Sequence, residues 1–130
     1  MATKDPLRPT DAELEILNVL WRRGASTVRE VHQEISRVKA TQYTTVLKLM
    51  QIMSEKGLLK RDETQRSHVY TPSQSRERTQ QQLAGDLMRR AFEGSARSLL
   101  MGALSAKRAS PAELTEIRRL LDEYEKGPRR

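Results

Sequence analysis

Within residues 41–71, TQYTTVLKLMQIMSEKGLLKRDETQRSHVYT, two kinds of side chain are set close together. Thr41, Gln42, Tyr43, Thr44 and Thr45 supply short hydroxyls, an amide and a phenol, and Lys48 follows one helical turn later. Such groups match the donors and acceptors that base edges present in the major groove. Further on, Lys60, Arg61 and Arg66 cluster within a few residues, and cations of this kind contact phosphate. The chemistry is that of holding double-stranded DNA, not of making or breaking bonds. There are no paired carboxylates at suggestive spacing, no Gly-rich phosphate loop and no Ser/His/Asp set, so no enzyme is expected. Cysteine is absent and the only histidines are His32 and His68, which predicts no metal site and no cofactor.

The elements that must position these groups follow from periodicity. Val46, Leu49, Met50 and Met53 fall at i, i+3, i+4 and i+7, one apolar stripe of a helix that Gly57 stops. Residues 58–61 and 67–71 read as two short strands joined by a polar turn at 62–66. Upstream, Thr10 and Glu13 form a capping box for a helix whose stripe is Leu14, Leu17, Leu20 and Trp21, ended by Gly24. A second box, Thr27 and Glu30, opens a helix with Val28, Val31 and Ile35 on one face and His32 off it. With a turn at 38–40, the second and third helices form a helix-turn-helix whose later member is the reader. The basic hairpin beside it makes a winged helix-turn-helix.

After Pro72-Ser73 the chain turns strongly polar but keeps helical spacing at Leu83, Leu87 and Ala91. Leu99, Leu100 and Leu104 suggest another short helix. Ser110-Pro111-Ala112-Glu113 is a strong start signal for a last one, with Leu114, Ile117, Leu120, Leu121 and Tyr124 as its stripe. Three narrow apolar faces without a core of their own point to a second copy of the chain as partner, the alternative being that they fold back on the winged domain. The fold class is therefore mostly α with a small β-hairpin wing. The expected organisation is a flexible arm at 1–9, a DNA-binding domain at 10–72, a helical dimerisation region at 73–125 and a basic tail at 126–130.

Charge agrees with an anionic partner. The net charge is +7, and residues 36–72 carry seven Lys/Arg against three Asp/Glu, while residues 1–35 carry five against six. A winged domain serving only protein–protein assembly would not need that concentration of cations. The lack of cysteine suits a reducing cytoplasm, and neither a signal peptide nor a run of about 18–20 apolar residues that could span a membrane is evident.

Taken together, Thr10-Asp11-Ala12-Glu13-Leu14-Glu15-Ile16-Leu17 with Leu20-Trp21 and Gly24, Thr27-Val28-Arg29-Glu30-Val31, Tyr43-Thr44-Thr45-Val46, Glu55-Lys56-Gly57-Leu58-Leu59 and the Leu-rich helix after Ser110 resemble the BlaI/MecI family of penicillinase repressors over nearly the whole chain. The resemblance implies a homodimeric winged-helix repressor that contacts DNA through the Tyr43-Thr44-Thr45 helix and the wing and dimerises through the C-terminal helices. It implies a dyad operator of the TACA…TGTA kind and control of a β-lactamase or cell-wall-related gene. In antibiotic-responsive members it also implies induction through a membrane sensor-protease that leads to cutting of an Asn-Phe bond; Gly102-Ala103 stand at that place here. Copper-responsive relatives carry a C-terminal cysteine metal site, which a chain without cysteine does not have.

Overall fold

Short-range signals set where the helices begin. In α1 (Asp11–Arg23), the Thr10 hydroxyl accepts from the Glu13 N–H and the Glu13 carboxylate accepts from the Thr10 N–H. Thr27 and Glu30 repeat this reciprocal pair at α2 (Val28–Ser36). The third helix, α3 (Tyr43–Lys56), ends at Gly57, whose φ of 88° lies in the left-handed region. Strands β1 (Leu59–Asp62) and β2 (Val69–Pro72) pair antiparallel, with Lys60 opposite Thr71 and Arg61 opposite Tyr70. Then come α4 (Arg76–Ala91), α5 (Ala96–Ala106) and α6 (Pro111–Lys126). The computed structural model describes residues 8–127; residues 1–7 of the expected arm and 128–130 of the expected tail lie outside them.

The chain divides into two units, up to Ala84 and from Gly85 on. The first is built on Ile16, Leu17, Val19 and Leu20 of α1, Val28 and Val31 of α2, Val46, Met50 and Met53 of α3, and Leu58, Leu59 and Tyr70 from the hairpin. Its apolar face on α1 is wider than the expected stripe. Ile16 and Val19 are buried, while Leu14 and Trp21 are only partly covered at its margin. The Trp21 indole N–H donates to the Gln74 carbonyl at 3.1 Å, and Thr79 of α4 is buried beside Leu17 and Leu58. The first turns of α4 thus belong with the winged unit, and the division falls inside α4 rather than at Pro72-Ser73. The strands also sit one or two residues later than expected, with Leu59 opposite Pro72 and Asp62 opposite Val69, and the Leu58 carbonyl accepts from the Ser73 N–H beyond them.

One strand-like contact has no counterpart in the sequence pattern. Ser26, in the α1–α2 loop, exchanges both backbone hydrogen bonds with Tyr70, at 3.1 and 2.8 Å. The wing is thereby a three-stranded arrangement with Tyr70 in the middle.

In the second unit α5 and α6 contain no buried residue. Leu99, Leu114 and Ile117 are half-buried, whereas Leu100, Leu104, Leu120, Leu121 and Tyr124 are exposed, Tyr124 at 80%. In α4, Leu83 is half-buried and Leu87 exposed. Gly102 lies in α5, where a methyl group in place of its hydrogen would sit 3.4 Å from the Phe92 ring. No helix among the described residues is long and apolar enough to cross a membrane.

Glu13 joins the N-terminus of α1 to the C-terminus of α3, since the Lys56 ammonium donates to its carboxylate at 2.8 and 2.9 Å. Burial alone would push the Glu13 carboxyl up, but Lys56 and the Thr10 backbone N–H more than offset it and hold it below its ordinary value. A depressed carboxyl contributes stability that is complete above its unfolded pKa of 4.5 and is lost as pH falls through the lower folded value. Glu30 is depressed too, mainly by the Thr27 N–H and then by Arg23, and acts in the same direction. Thermal unfolding followed from neutral pH to about pH 3 should show that acid loss. Glu13→Gln should lower stability at pH 7 by about 1–3 kcal/mol and flatten the acid limb. An acid limb as steep in the variant as in the parent would remove Glu13 from this role.

Candidate nucleic-acid interface

Burying Val46, Met50 and Met53 against the core turns the opposite face of α3 outward. That face runs Thr44, Lys48, Gln51, Ile52 and Glu55, all exposed, at i, i+4, i+7, i+8 and i+11. Thr44 and Lys48 are expected readers that the structure places on this face; Gln51 continues it. Tyr43 is 44% exposed at the helix start, on the side facing the wing. Gln42 and Thr45 are exposed on the other side, along the groove towards Ala12 and Glu15 of α1. Thr41 precedes the helix and is half-buried. Its hydroxyl donates to the Lys39 carbonyl at 3.0 Å, and its own carbonyl accepts from His32 Nε2 at 2.7 Å. The geometry gives Thr41 a place in the turn before α3 rather than on the outward face. His32 also meets Tyr43 edge to face, with ring centroids 5.7 Å apart.

The three wing cations are not equivalent. Pairing opposite Thr71 and Tyr70 puts Lys60 and Arg61 on opposite faces of the hairpin. Arg61 is ion-paired with Glu63, and the Tyr70 side chain and then Glu63 raise its pKa. It is therefore a partly neutralised cation. Among the described residues no carboxylate pairs with Lys48, Lys60 or Arg66. The wing turn is itself braced: the Asp62 carboxylate accepts from the Thr64 N–H at 2.9 Å and from its hydroxyl at 2.7 Å, and is depressed by those bonds.

Between α3 and the wing runs a groove of about 420 Å³, lined by Arg29, Tyr43, Gln51, Arg61, Arg66 and His68 among others. Arg29 was not anticipated. It stands in the first turn of α2, where the helix dipole disfavours a cation, and α2 is already capped by Thr27 and Glu30. A local rule broken without local compensation was the available signal, and an external anion would supply the missing partner. Gln51 was legible as the complement of the buried stripe. The exposed α3 face, the wing and the start of α2 thus gather short polar groups and cations around one edge of the first unit. An α-helix of this width enters a major groove, about 12 Å across, with flanking cations left to reach the two phosphate backbones.

A family model described as Penicillinase repressor matches residues 9–123. A transcriptional regulator BlaI of Mycobacterium tuberculosis is 30% identical over 118 residues, covering 90% of this chain and 85% of the relative. A penicillinase repressor of Bacillus licheniformis is 25% identical over 115 residues, covering 88% of this chain and 90% of the relative. The solution structure of the DNA-binding domain of the repressor BlaI superposes with a TM-score of 0.50 at 28% identity, over 57% of this chain and 90% of that one.

Alanine at Arg29, Lys60 or Arg66 should weaken binding to all duplexes alike and lower the slope of log affinity against log salt by about one each. Arg61→Ala should change that slope less than Arg66→Ala, because Glu63 already shares its charge. Titrations of one duplex between 50 and 200 mM salt, in round terms a span over which several phosphate contacts cost about 10³–10⁵ in affinity, make the comparison. A slope that none of the four substitutions alters would remove the wing and α2 from the interface.

Proposed function

The chain belongs to the penicillinase repressor family of DNA-binding transcriptional regulators, and on that premise we propose that it is a cytoplasmic repressor acting as a homodimer on an inverted-repeat operator. Thr44, Lys48, Gln51 and Tyr43 read base edges, with Gln42 and Thr45 at the margin. Lys60, Arg66 and Arg29 hold phosphates. The controlled gene encodes a β-lactamase, as the relatives named penicillinase repressor suggest, or, as the family resemblance implies, a protein related to the cell wall. Occupying an operator that overlaps a promoter excludes polymerase, so binding alone is sufficient and no catalytic step is assigned. Relief through a membrane sensor-protease pathway belongs to the same reading. Any cut would fall at a bond other than Asn-Phe, since residues 102–103 are Gly-Ala.

The observation that carries the reading is the polar outward face of α3 set beside a cation-bearing wing, on a unit similar to the DNA-binding domain of the repressor BlaI. The test is to recover and sequence fragments of the source genome bound by the purified protein. Inverted repeats with half-sites about one helical turn apart, or a multiple, are expected, upstream of genes of those classes. Thr44→Ala should then cost on the order of 1–3 kcal/mol on the recovered site and leave random duplex binding intact. Recovery without sequence enrichment would favour a winged module for protein assembly instead.

The homodimer is supported by α5 and α6, which leave Leu100, Leu104, Leu120, Leu121 and Tyr124 exposed on a single chain. One subunit offers one reading helix. Linking two makes the second contact intramolecular and can raise affinity by about 10²–10⁴. Leu121→Asp is the sharper substitution, because Leu121 is 55% exposed whereas Ile117 is partly covered. Sedimentation should find the parent dimeric and Leu121→Asp shifted to monomer, with operator affinity lowered by about that factor. Truncation after Ala84, where the first unit ends, should give the same result. A parent that sediments as a monomer would sink the dimer.

A further inference from the structure

We propose that His32 is a positioning residue for base reading: from α2 it fixes the entry of α3 and the ring of Tyr43 without itself touching DNA. The inference rests on α3 being the reading helix. The other helices begin on a hydroxyl side chain that accepts a first-turn N–H: Thr10, Thr27, Ser75, Ser95 and Ser110. Gln42, which precedes α3, makes no such bond. The orientation of residues 41–43 must therefore come from outside the helix.

His32 supplies it twice. Its Nε2 lies 2.7 Å from the Thr41 carbonyl, and a carbonyl only accepts, so that nitrogen carries the proton and donates. The Ser36 hydroxyl reaches the same carbonyl at 3.4 Å and is the weaker donor. The imidazole also stands edge to face against Tyr43, with an interplanar angle of 82°. Tyr43 is 44% exposed and lines the groove between α3 and the wing. Recognition groups must be held to within about 0.5 Å of the productive geometry, by contacts that themselves sit on rigid elements. α2 is such an element, capped at Thr27 and buried through Val28 and Val31.

The two contacts predict a loss of discrimination rather than of general affinity. On the genomic site recovered by the parent protein, His32→Ala should lower affinity about fivefold to tenfold, the worth of one net hydrogen bond. Binding to a random duplex of the same length should stay unchanged, because the phosphate-contacting groups are not moved. His32→Gln places an amide N–H where Nε2 stood and should recover most of the discrimination. Equal losses on both duplexes, an unchanged ratio in His32→Ala, or a Gln variant as poor as Ala would each overturn the proposal. Thr44→Ala is measured alongside. If it too leaves the ratio unchanged, the assignment of α3 as reader is what fails. If it lowers the ratio while His32→Ala does not, the positioning role alone falls.

Discussion

The first unit depends on the exchange of two backbone hydrogen bonds between Ser26 and Tyr70. A two-stranded hairpin is marginal by itself in water. Here the second strand finds a further partner in the α1–α2 loop, and both residues of the pair are almost completely buried. Ser26 is fixed in turn, its hydroxyl donating to the Gly24 carbonyl at 2.8 Å and accepting from Arg23 Nε at 3.1 Å. Tyr70 puts its ring into the core and gives both of its backbone hydrogen-bonding groups to Ser26, while standing opposite Arg61 of β1. The start of α2, which carries Arg29, and the wing, which carries Lys60 and Arg66, are thus located by one joint.

Electrostatics refine what packing sets up. The pair of buried Glu13 with half-buried Lys56 closes α1 on the end of α3, so the far end of the reading helix is held from the core side. Arg23 bridges Glu30 and Glu34 across the α1–α2 corner. In the wing the same chemistry works against an external anion, because Glu63 occupies Arg61. The face is therefore less cationic than a count of Lys and Arg implies. On that edge, among the described residues, Arg29, Lys48, Lys60 and Arg66 have no carboxylate partner.

The parts legible in the sequence are those governed by short-range rules. Thr10 with Glu13 and Thr27 with Glu30 act over three residues, and Gly57 acts on its own backbone, so each could be read directly. The α3 stripe was equally plain. The width of the buried face on α1 was not, because apolar residues at 14, 16, 17, 19, 20 and 21 surround more than one side and only the packing partners choose among them. Ser26 was invisible as a strand, since a single pairing residue has no periodicity. At the candidate site the residue types were legible but their inequality was not. Separating Arg61 from Arg66, or Thr41 from Thr44, needs Glu63, Tyr70 and His32 in place. Arg29 broke a local rule at the start of α2, but its distance from the wing in sequence gives no hint that the two share a groove.

The left-handed cap at Gly57 bears on the thermodynamics of association. Only Gly57 and Leu58 separate α3 from β1, Leu58 and Leu59 are buried, and the returning strand is tied back by the Ser73 N–H to the Leu58 carbonyl at 2.8 Å. Between the paired strands, residues 63–68 are the part of the wing with freedom left, and Thr64 is already bonded to Asp62. Helix and wing therefore meet a ligand preorganised, and little chain entropy is surrendered when they dock. The heat of binding should accordingly come from contacts, with expelled counterions and water contributing entropy, and without the large ordering signature of a segment that folds on its target.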